Sequence, residues 1–261
     1  MSPTNDRSDD RRPASRVIAD ALRERIESGD LPEGGQLPSE RQLAAWFDAA
    51  RNTAREAVRI LTDEGLVIAH HGQGVFVRQR HPLIRLGSDR YSPRHRDLGL
   101  SPFLLECQRQ GKTGKFEVLS ITQERASWDV ASRLGAPAGE DVEVTRRENV
   151  FYADEDPVYR VSTFLPAALT DGTDLREPVI DHPYGIHGRL EEAGHTMTRI
   201  VEDVTARMPT PDEASRLALP KGSPVLDVWH TSVDQNGTPY EITRFVMRAD
   251  LTGLHYDTPV E

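Results

Sequence analysis

The sequence contains almost no cysteine, few aromatic residues and no long apolar run. Cys107 is the single cysteine among 261 residues, so no disulfide can form within one chain, and a reducing cytoplasm is the expected setting. No stretch of about 18 apolar residues occurs, so we expect no transmembrane helix and no membrane partner. Residues 1–14 are polar and lack an apolar signal core. We expect this segment to be disordered and not to direct secretion.

Catalytic and metal-binding signatures are also missing. The nine histidines include no His-x-x-x-His pair, a cysteine pair is impossible, and no serine is framed by glycines as in a hydrolase nucleophile. These absences argue against an enzyme. They predict a protein with no metal centre and no cofactor.

The formal net charge of −10 is unevenly distributed along the chain. Residues 1–96 carry 16 Lys and Arg against 14 Asp and Glu, whereas residues 97–261 carry 16 against 28. Neutralising DNA phosphates requires a few well-placed cations and not a basic protein. The acidic total therefore does not exclude nucleic acid as a partner of the N-terminal part.

Residues 37–77 have the pattern of two short helices followed by a hairpin. Ser39 is suited to cap the first helix, and apolar residues recur at helical spacing in a second helix from about Arg51 to Glu64. Two apolar strands, 66–68 and 75–77, flank a turn that contains glycine. Helix, turn, helix and hairpin together predict a winged helix-turn-helix.

The second helix of such a domain lies in the major groove of DNA. An amphipathic helix at about 15–29 would brace it, so we expect the domain to span residues 15–80. The second helix begins with arginine and hydroxyl side chains, and arginine can donate two hydrogen bonds to guanine. Thr53 can donate to a phosphate, and Asn52 can read adenine. We therefore expect double-stranded DNA as the partner.

Residues 81–115 combine arginines with prolines and glycines, which predicts a basic, largely irregular linker with one short helix at 102–110. Two interpretations stay open. The segment is a solvated connector, or its arginines contact the DNA backbone or pair with the acidic second domain. These arginines are Arg85, Arg90, Arg94 and Arg96.

The C-terminal part, residues 116–261, contains an internal repeat. The segment that starts at Ala131 with ASRLGAPAGE aligns with the segment that starts at Ala214 with ASRLALPKGS. Each copy predicts a short helix and a β-hairpin, and each is preceded by a further strand. We therefore predict an α+β fold in which a duplicated helix-hairpin unit forms a six-stranded antiparallel sheet. A concave surface between the two halves would suit a small ligand.

The motifs LPSERQLA (37–44), RNTAREA (51–57) and GQGVFV (72–77) resemble the DNA-binding domain of the GntR family of bacterial repressors. This resemblance implies a homodimeric repressor on a two-fold operator. By the same resemblance, Arg41 and the second helix contact DNA and the glycine of the hairpin tip approaches the minor groove. The candidate DNA-binding residues are Ser39, Arg41, Arg51, Asn52, Thr53, Arg55, Gln73 and Gly74.

The motifs DPV (156–158), FLP (164–166), LEEAG (190–194) and GTPYE (237–241) resemble the UTRA effector domain of the HutC branch of that family. The run TARMPTP (205–211) is similar to actinobacterial members. The resemblance implies that a small-molecule effector releases the protein from DNA or modulates its binding. An alternative stays open, in which the protein represses constitutively and its second domain only dimerises.

The expected effector site departs from that of members that sense sugar phosphates. Those members carry an Arg-x-Arg pair where this chain has Asn149 and Phe151. Phe164 and His187 stand where tyrosines are common. We therefore expect an effector that is less anionic than a sugar phosphate and partly apolar. The candidate effector-binding residues are Arg147, Asn149, Phe151, Arg160, Thr163, Phe164, His187, Glu241 and Arg244.

Overall fold

The computed structural model describes residues 12–70, 72, 74–78, 82–87, 90–91 and 98–257. The chain divides into two compact units, one formed by residues 1–80 with 220–222 and the other by the remaining residues. Most of the segment for which we expect disorder, residues 1–11, lies outside the described part. Ala14 already begins a helix.

The first unit is the predicted winged helix-turn-helix. Its described elements are α1 (Ala14–Glu27), α2 (Glu40–Trp46), α3 (Arg51–Asp63), β1 (Val67–His70) and β2 (Gly74–Val77). Helix α2 begins with a capping box, in which the Ser39 hydroxyl accepts from the Gln42 amide and the Gln42 side chain accepts from the Ser39 amide. The apolar stripes of the three helices meet in one core around the fully buried Leu22, Leu43 and Leu61. Burial of each such leucine stabilises the unit by about 1.5–3 kcal/mol.

The hairpin of β1 and β2, hereafter the wing, is tied to the chain that leads into α2. The Leu37 amide donates to the Val75 carbonyl over 2.7 Å, and the Val77 amide donates to the Gly35 carbonyl over 2.8 Å. Gly74 has a φ of 121°, a conformation that favours glycine over any residue with a Cβ. These hydrogen bonds hold the wing beside the start of α2.

The second unit contains most of the strands. Its described elements are β3 (Leu83–Leu86), α4 (Pro102–Arg109), β4 (Gly114–Arg125), α5 (Trp128–Arg133), β5 (Glu143–Ala153), β6 (Asp156–Pro166), α6 (Ala167–Thr170), a 3₁₀ turn (Asp174–Arg176), α7 (Ile186–Glu192), β7 (Met197–Arg207), α8 (Pro211–Arg216), β8 (Val225–Asp234), β9 (Pro239–Arg248) and β10 (Thr252–His255).

Six of these strands form an antiparallel sheet in the order β4-β5-β6-β9-β8-β7. The order is symmetric about its centre because each half consists of one repeat, with α5 before the hairpin β5-β6 and α8 before the hairpin β8-β9. The predicted α+β fold with a duplicated helix-hairpin unit is thereby confirmed. The two repeats join where Thr163 of β6 lies opposite Thr243 of β9.

The expectation of a largely irregular linker at residues 81–115 is wrong for its described residues, except that the short helix expected at 102–110 is present as α4. Strand β3 pairs in parallel with β10, and α4 supplies buried side chains to the second unit. Arg85 and Arg90 are buried and form ion pairs with Glu202 and Glu106. The interpretation that arginines pair with the acidic second domain holds for Arg85, whereas the partner of Arg90 lies within the same segment. Arg94 and Arg96 lie outside the described residues.

The two faces of the six-stranded sheet are covered by different elements. On one face Val130 of α5 packs against Val144, Phe164 and Ile242. On the other face α4 packs through Phe103, and α7 and the 3₁₀ turn pack through Leu190 and Leu175. The cover of this second face is incomplete, and a cavity lies between it and the sheet.

Candidate functional site

Exposed arginines occupy the first turns of α3. Arg51 and Arg55 lie one turn apart, with 69% and 59% of their side chains exposed, and both contact Glu40 at the start of α2. The Nε atoms of Arg51 and Arg55 lie 3.2 Å and 3.0 Å from the two Glu40 carboxylate oxygens. Hydrogen bonding from Arg55, with a contribution from Arg51, holds the pKa of Glu40 below its usual value. Glu40 thus orients both guanidinium groups without removing them from solvent.

These arginines border a groove of about 640 Å³, hereafter the α3 groove. It runs between the start of α2, the exposed side of α3 and the first residues of β2. Five of the predicted DNA-binding residues line it: Ser39, Arg41, Arg51, Arg55 and Gly74. Gln36, Gln42 and Val58 line it as well and were not predicted.

Two other predicted DNA-binding residues lie outside the groove. Asn52 is exposed and Thr53 is partly buried on α3, and neither lines the α3 groove. Gln73 lies outside the described residues. Arg59, two turns into α3, pairs with Glu56 and Asp63 of its own helix, at 2.6 Å and 3.1 Å, and does not line the groove.

In the second unit a cavity of about 270 Å³, hereafter the sheet cavity, lies against the face that α4 and α7 cover. Its lining is largely apolar and includes four phenylalanines, Phe103, Phe116, Phe151 and Phe245. The cavity brings together six of the nine predicted effector-binding residues, which are Arg147, Asn149, Phe151, Thr163, His187 and Glu241.

Three predicted effector-binding residues do not line the sheet cavity. Arg160 and Arg244 pair instead with carboxylates on the opposite side of the sheet, Arg160 with Glu148 and Asp212 and Arg244 with Asp227. Phe164 belongs to the core under α5. Neighbouring residues of a strand point to opposite faces, so Phe164 cannot share a face with Thr163, nor Arg244 with Thr243.

Other cavity residues were missed. Thr243 and Phe245 follow Glu241 at intervals of two, so strand alternation alone would have found them. Arg90, Tyr91 and the residues 101–103 also line the cavity, but they come from the segment expected to be a linker. No local signal in the sequence indicated that this segment returns to the sheet.

Arg147 is the most buried cation of the cavity lining, at 2% exposure. Its Nη1 donates to the backbone carbonyls of Leu175 and Glu177, over 2.6 Å and 2.8 Å, and its buried Nε has no hydrogen-bond partner. Burial lowers the pKa of this guanidinium, opposed only by the field of Asp174. Asp174 itself is bound by Arg189.

A polar row crosses the same face of the sheet from Glu241 to the far edge. The Glu241 carboxylate, 3% exposed, accepts from the hydroxyls of Ser232 and Thr243, each over 2.9 Å. Ser232 Oγ lies 3.2 Å from His230 Nε2, and His230 Nδ1 lies 2.8 Å from Glu202. The row continues to Arg85, whose Nη1 donates to Glu202 over 3.0 Å, and it connects the cavity with β3.

His187 of α7 closes the cavity above Glu241. Its Nδ1 lies 3.6 Å from a Glu241 oxygen, beyond hydrogen-bonding distance, and has no hydrogen-bond partner. Burial lowers the pKa of His187, although the field of Glu241 opposes that change. The imidazole is packed against the ring of Tyr91, with ring centres 5.2 Å apart.

Within the described part of the chain, no group of three or more His, Cys, Asp or Glu is arranged to hold a metal ion. None of the described helices is both long enough and apolar enough for a bilayer.

Comparisons with known proteins cover nearly the whole chain. The family model described as bacterial regulatory proteins, gntR family, matches residues 14–77, and the UTRA domain model matches residues 109–252. An HTH-type transcriptional regulator of Streptomyces coelicolor is 30% identical over 254 residues, which covers 95% of this chain and 93% of that protein. The HTH-type transcriptional repressor NagR of Bacillus subtilis is 27% identical and covers 92% of each chain.

Solved structures of similar proteins have the same architecture. A crystal structure of a GntR-family transcriptional regulator superposes with a TM-score of 0.60 at 28% identity, over 96% of this chain and 99% of that one. The structure of PhnF from Mycobacterium smegmatis superposes with a TM-score of 0.59 at 24% identity, over 94% and 100%. The second likeness concerns the fold alone.

Proposed function

This chain belongs to the gntR family of bacterial regulatory proteins and carries a UTRA domain, and on that premise we propose that it is a homodimeric repressor whose operator binding responds to a small molecule. Its relatives are transcriptional regulators, so the chain is a regulator and not an enzyme. The proposal adds the dimer, the two-fold operator, the sign of regulation and the effector. We place its action in the cytoplasm, on DNA.

The observation that carries the DNA-binding part is the pair of exposed arginines in the α3 groove. Glu40 holds Arg51 and Arg55 on one side of α3, in the turns that enter the major groove in winged helix-turn-helix proteins. Guanidinium groups held in this way are positioned to donate in pairs to guanine or phosphate. Arg41 and Gly74 border the same groove and would contact the flanking backbone.

A two-fold operator follows from a dimer, because each copy would place one α3 in the major groove. The two half-sites would then be separated by about one helical turn or a multiple of it. Footprinting of the full chain on its own upstream region, combined with sedimentation of the free protein, tests this. A protected palindrome and a dimer are expected, and a monomer bound to an asymmetric site would contradict the proposal.

Arginine substitutions on α3 test the base-reading role with a matched control. We expect Arg55→Ala to reduce discrimination between operator and scrambled DNA about tenfold or more, while Arg59→Ala, which changes an arginine outside the groove, preserves it. Fluorescence anisotropy on both DNAs measures the ratio. If Arg55→Ala discriminates as well as the parent protein, α3 is not the reading helix.

For the effector part, the sheet cavity supports a ligand-binding role for the second unit. It is mostly apolar, stays partly open to solvent and contains a few polar groups that converge on one space, as small-molecule sites do. Arg90 and Tyr91 line it and follow the first unit closely in the chain. We propose that an effector less anionic than a sugar phosphate binds there and changes the freedom of the DNA-binding units.

Ligand-induced stabilisation distinguishes this from a domain that only dimerises. A ligand that binds only the folded chain raises its melting temperature by mass action. We expect at least one small metabolite to raise the melting temperature and to change operator affinity in the same concentration range. Stabilisation that leaves operator affinity unchanged would favour constitutive repression.

A further inference from the structure

Two buried charges in the sheet cavity lack the partners that other buried charges around it have. Arg90 forms an ion pair with Glu106, and Arg85 forms one with Glu202. Among the described residues, by contrast, no carboxylate forms an ion pair with Arg147. Burying an unpaired charge is unfavourable by several kcal/mol, so a buried charge is normally paired or hydrogen-bonded throughout.

The hydrogen bonds of the Arg147 guanidinium are only partly satisfied. Two backbone carbonyls accept from one of its terminal nitrogens, whereas its Nε is buried without a partner. Carbonyl dipoles orient the guanidinium but leave its net charge in place. The side chain therefore presents a fixed positive charge to the cavity that it lines.

Glu241 is the second buried charge of the sheet cavity and has the opposite sign to Arg147. Two hydroxyls donate to it, but within the described residues no Lys or Arg forms an ion pair with it. His187 stands 3.6 Å away, and burial lowers the pKa of this imidazole, so His187 remains neutral near pH 7. The Glu241 charge is thus solvated by hydroxyls and left uncompensated.

The fold keeps these two charges apart. Arg147 lies opposite Thr163 on β6, and Thr163 lies opposite Thr243 on β9, so two strand spacings, about 10 Å, separate the backbones of β5 and β9. The hydroxyls of Thr163 and Thr243 are 3.0 Å apart and occupy the space between them. Aromatic rings complete the wall, among them Phe151 and Phe245.

We propose that the sheet cavity binds a small amino carboxylate, with its carboxylate against Arg147, its ammonium group against Glu241 and an apolar body between them. Each group of such a ligand compensates one buried charge, and its zero net charge fits a cavity whose own two charges cancel. A sugar phosphate would bring two negative charges and no cation for Glu241. The cavity volume of about 270 Å³ limits the ligand to the small end of the range for protein ligand sites. This inference rests on the proposed effector response and specifies its ligand class.

A series of probes that differ in one group at a time tests the proposal on the full chain. The probes are 4-(aminomethyl)benzoate, 4-methylbenzoate, 4-methylbenzylamine and the ω-amino carboxylates from 4-aminobutyrate to 8-aminooctanoate, with N-acetylglucosamine 6-phosphate for comparison. Binding is measured by calorimetry and by the shift in melting temperature. We expect at least one amino carboxylate to bind more than about tenfold tighter than every probe that lacks either charge.

Variants assign each charge to its residue. Arg147→Gln should lower amino carboxylate affinity more than about tenfold, whereas Arg160→Gln, an arginine on the opposite face of the sheet, should leave it unchanged. Glu241→Gln removes the charge but keeps an acceptor for one of the two hydroxyls, and it should remove the advantage of 4-(aminomethyl)benzoate over 4-methylbenzoate. The second variant decides the matter if Arg147→Gln does not fold.

Several results would overturn the inference. They are no binding by any amino carboxylate, tighter binding by the sugar phosphate, or affinities insensitive to both cavity variants. Operator binding of the same preparations is measured in parallel. If operator binding stays normal while the probes fail, only the ligand class is wrong, whereas lost operator discrimination by the parent protein would contradict the proposed function itself.

Discussion

The α3 groove and the sheet cavity both present arginine to a partner, but they do so in opposite ways. In the groove, Arg51 and Arg55 are mostly exposed and share one carboxylate, Glu40, which they can exchange for DNA. In the cavity, Arg147 is buried and is held by backbone carbonyls. The exposed pair is weakened by salt and solvent, whereas the buried charge is screened much less.

This difference indicates what each unit can recognise. A solvated arginine can move between Glu40, phosphates and base edges at little cost, which suits scanning of long DNA. Arg147 is buried and its partners are fixed, so few ligands can bind beside it. This restricts the cavity to ligands that supply a negative charge to Arg147. The comparison therefore leads to predictions on stability, on DNA discrimination and on pH.

The largest effect is expected from breaking a buried pair in the second unit. Glu202→Ala leaves Arg85 buried without its carboxylate and also removes the partner of His230. The free energy of unfolding should fall by about 3–5 kcal/mol, the usual penalty for an uncompensated buried charge. Urea denaturation followed by circular dichroism measures it.

The matched control removes a carboxylate of the exposed type. Glu40→Ala breaks both contacts to Arg51 and Arg55, yet it should change the free energy of unfolding by no more than about 1 kcal/mol because these arginines are solvated. Equal losses in the two variants would show that burial does not separate the two regions as argued.

A smaller effect is expected on operator recognition. Arg51→Ala should weaken operator binding by about 1–3 kcal/mol and relax discrimination at one base pair, since a bidentate contact to guanine is lost. Anisotropy titrations with single-base operator variants measure the loss. If affinity falls equally for all sequences and the salt dependence decreases by about one unit, Arg51 contacts a phosphate and not a base.

Much of this architecture could be predicted because the repeat and the helical spacing are local signals. Helix α3 spans nearly the predicted residues, and the six sheet strands follow the order predicted from the repeat. The pairing of β3 with β10 had no such signal. The two strands have four residues each, and most of the sequence of the second unit separates them. Strand pairing between distant short segments depends on tertiary packing and not on local pattern.

The strand residues that line the candidate cavity were predictable where the alternation of side chains along a strand was taken into account. Asn149 and Phe151 share one parity with Arg147 and lie on the cavity face. Arg160 and Arg244 lie on the opposite face, and the charge of a side chain does not indicate the face on which a strand residue lies. The incomplete environment of Arg147 was not predictable, because it depends on carbonyl groups about 30 residues further along the chain.

The smallest expected effect is on the free energy of unfolding at acidic pH, to which His187 contributes. Burial lowers the pKa of this histidine in the folded chain, with Glu241, His230, Arg90 and Glu191 as the charged or titratable groups that act on it. The unfolded chain binds a proton below about pH 6.5 while the folded chain resists it, so this contribution to stability is complete above pH 6.5 and is lost as the pH falls.

One such group changes the free energy of unfolding by at most about 1.4 kcal/mol per pH unit. The decrease between pH 7.5 and about 5 should therefore be shallower in His187→Phe, which keeps an aromatic ring beside Tyr91, than in the parent protein. Carboxylates such as Glu202, whose pKa is lowered by hydrogen bonds from His230 and Arg85 against the opposing effect of burial, add their loss only below about pH 4.5. Denaturation midpoints across this range separate the two contributions. A slope in His187→Phe equal to that of the parent would mean that folding does not lower the pKa of His187.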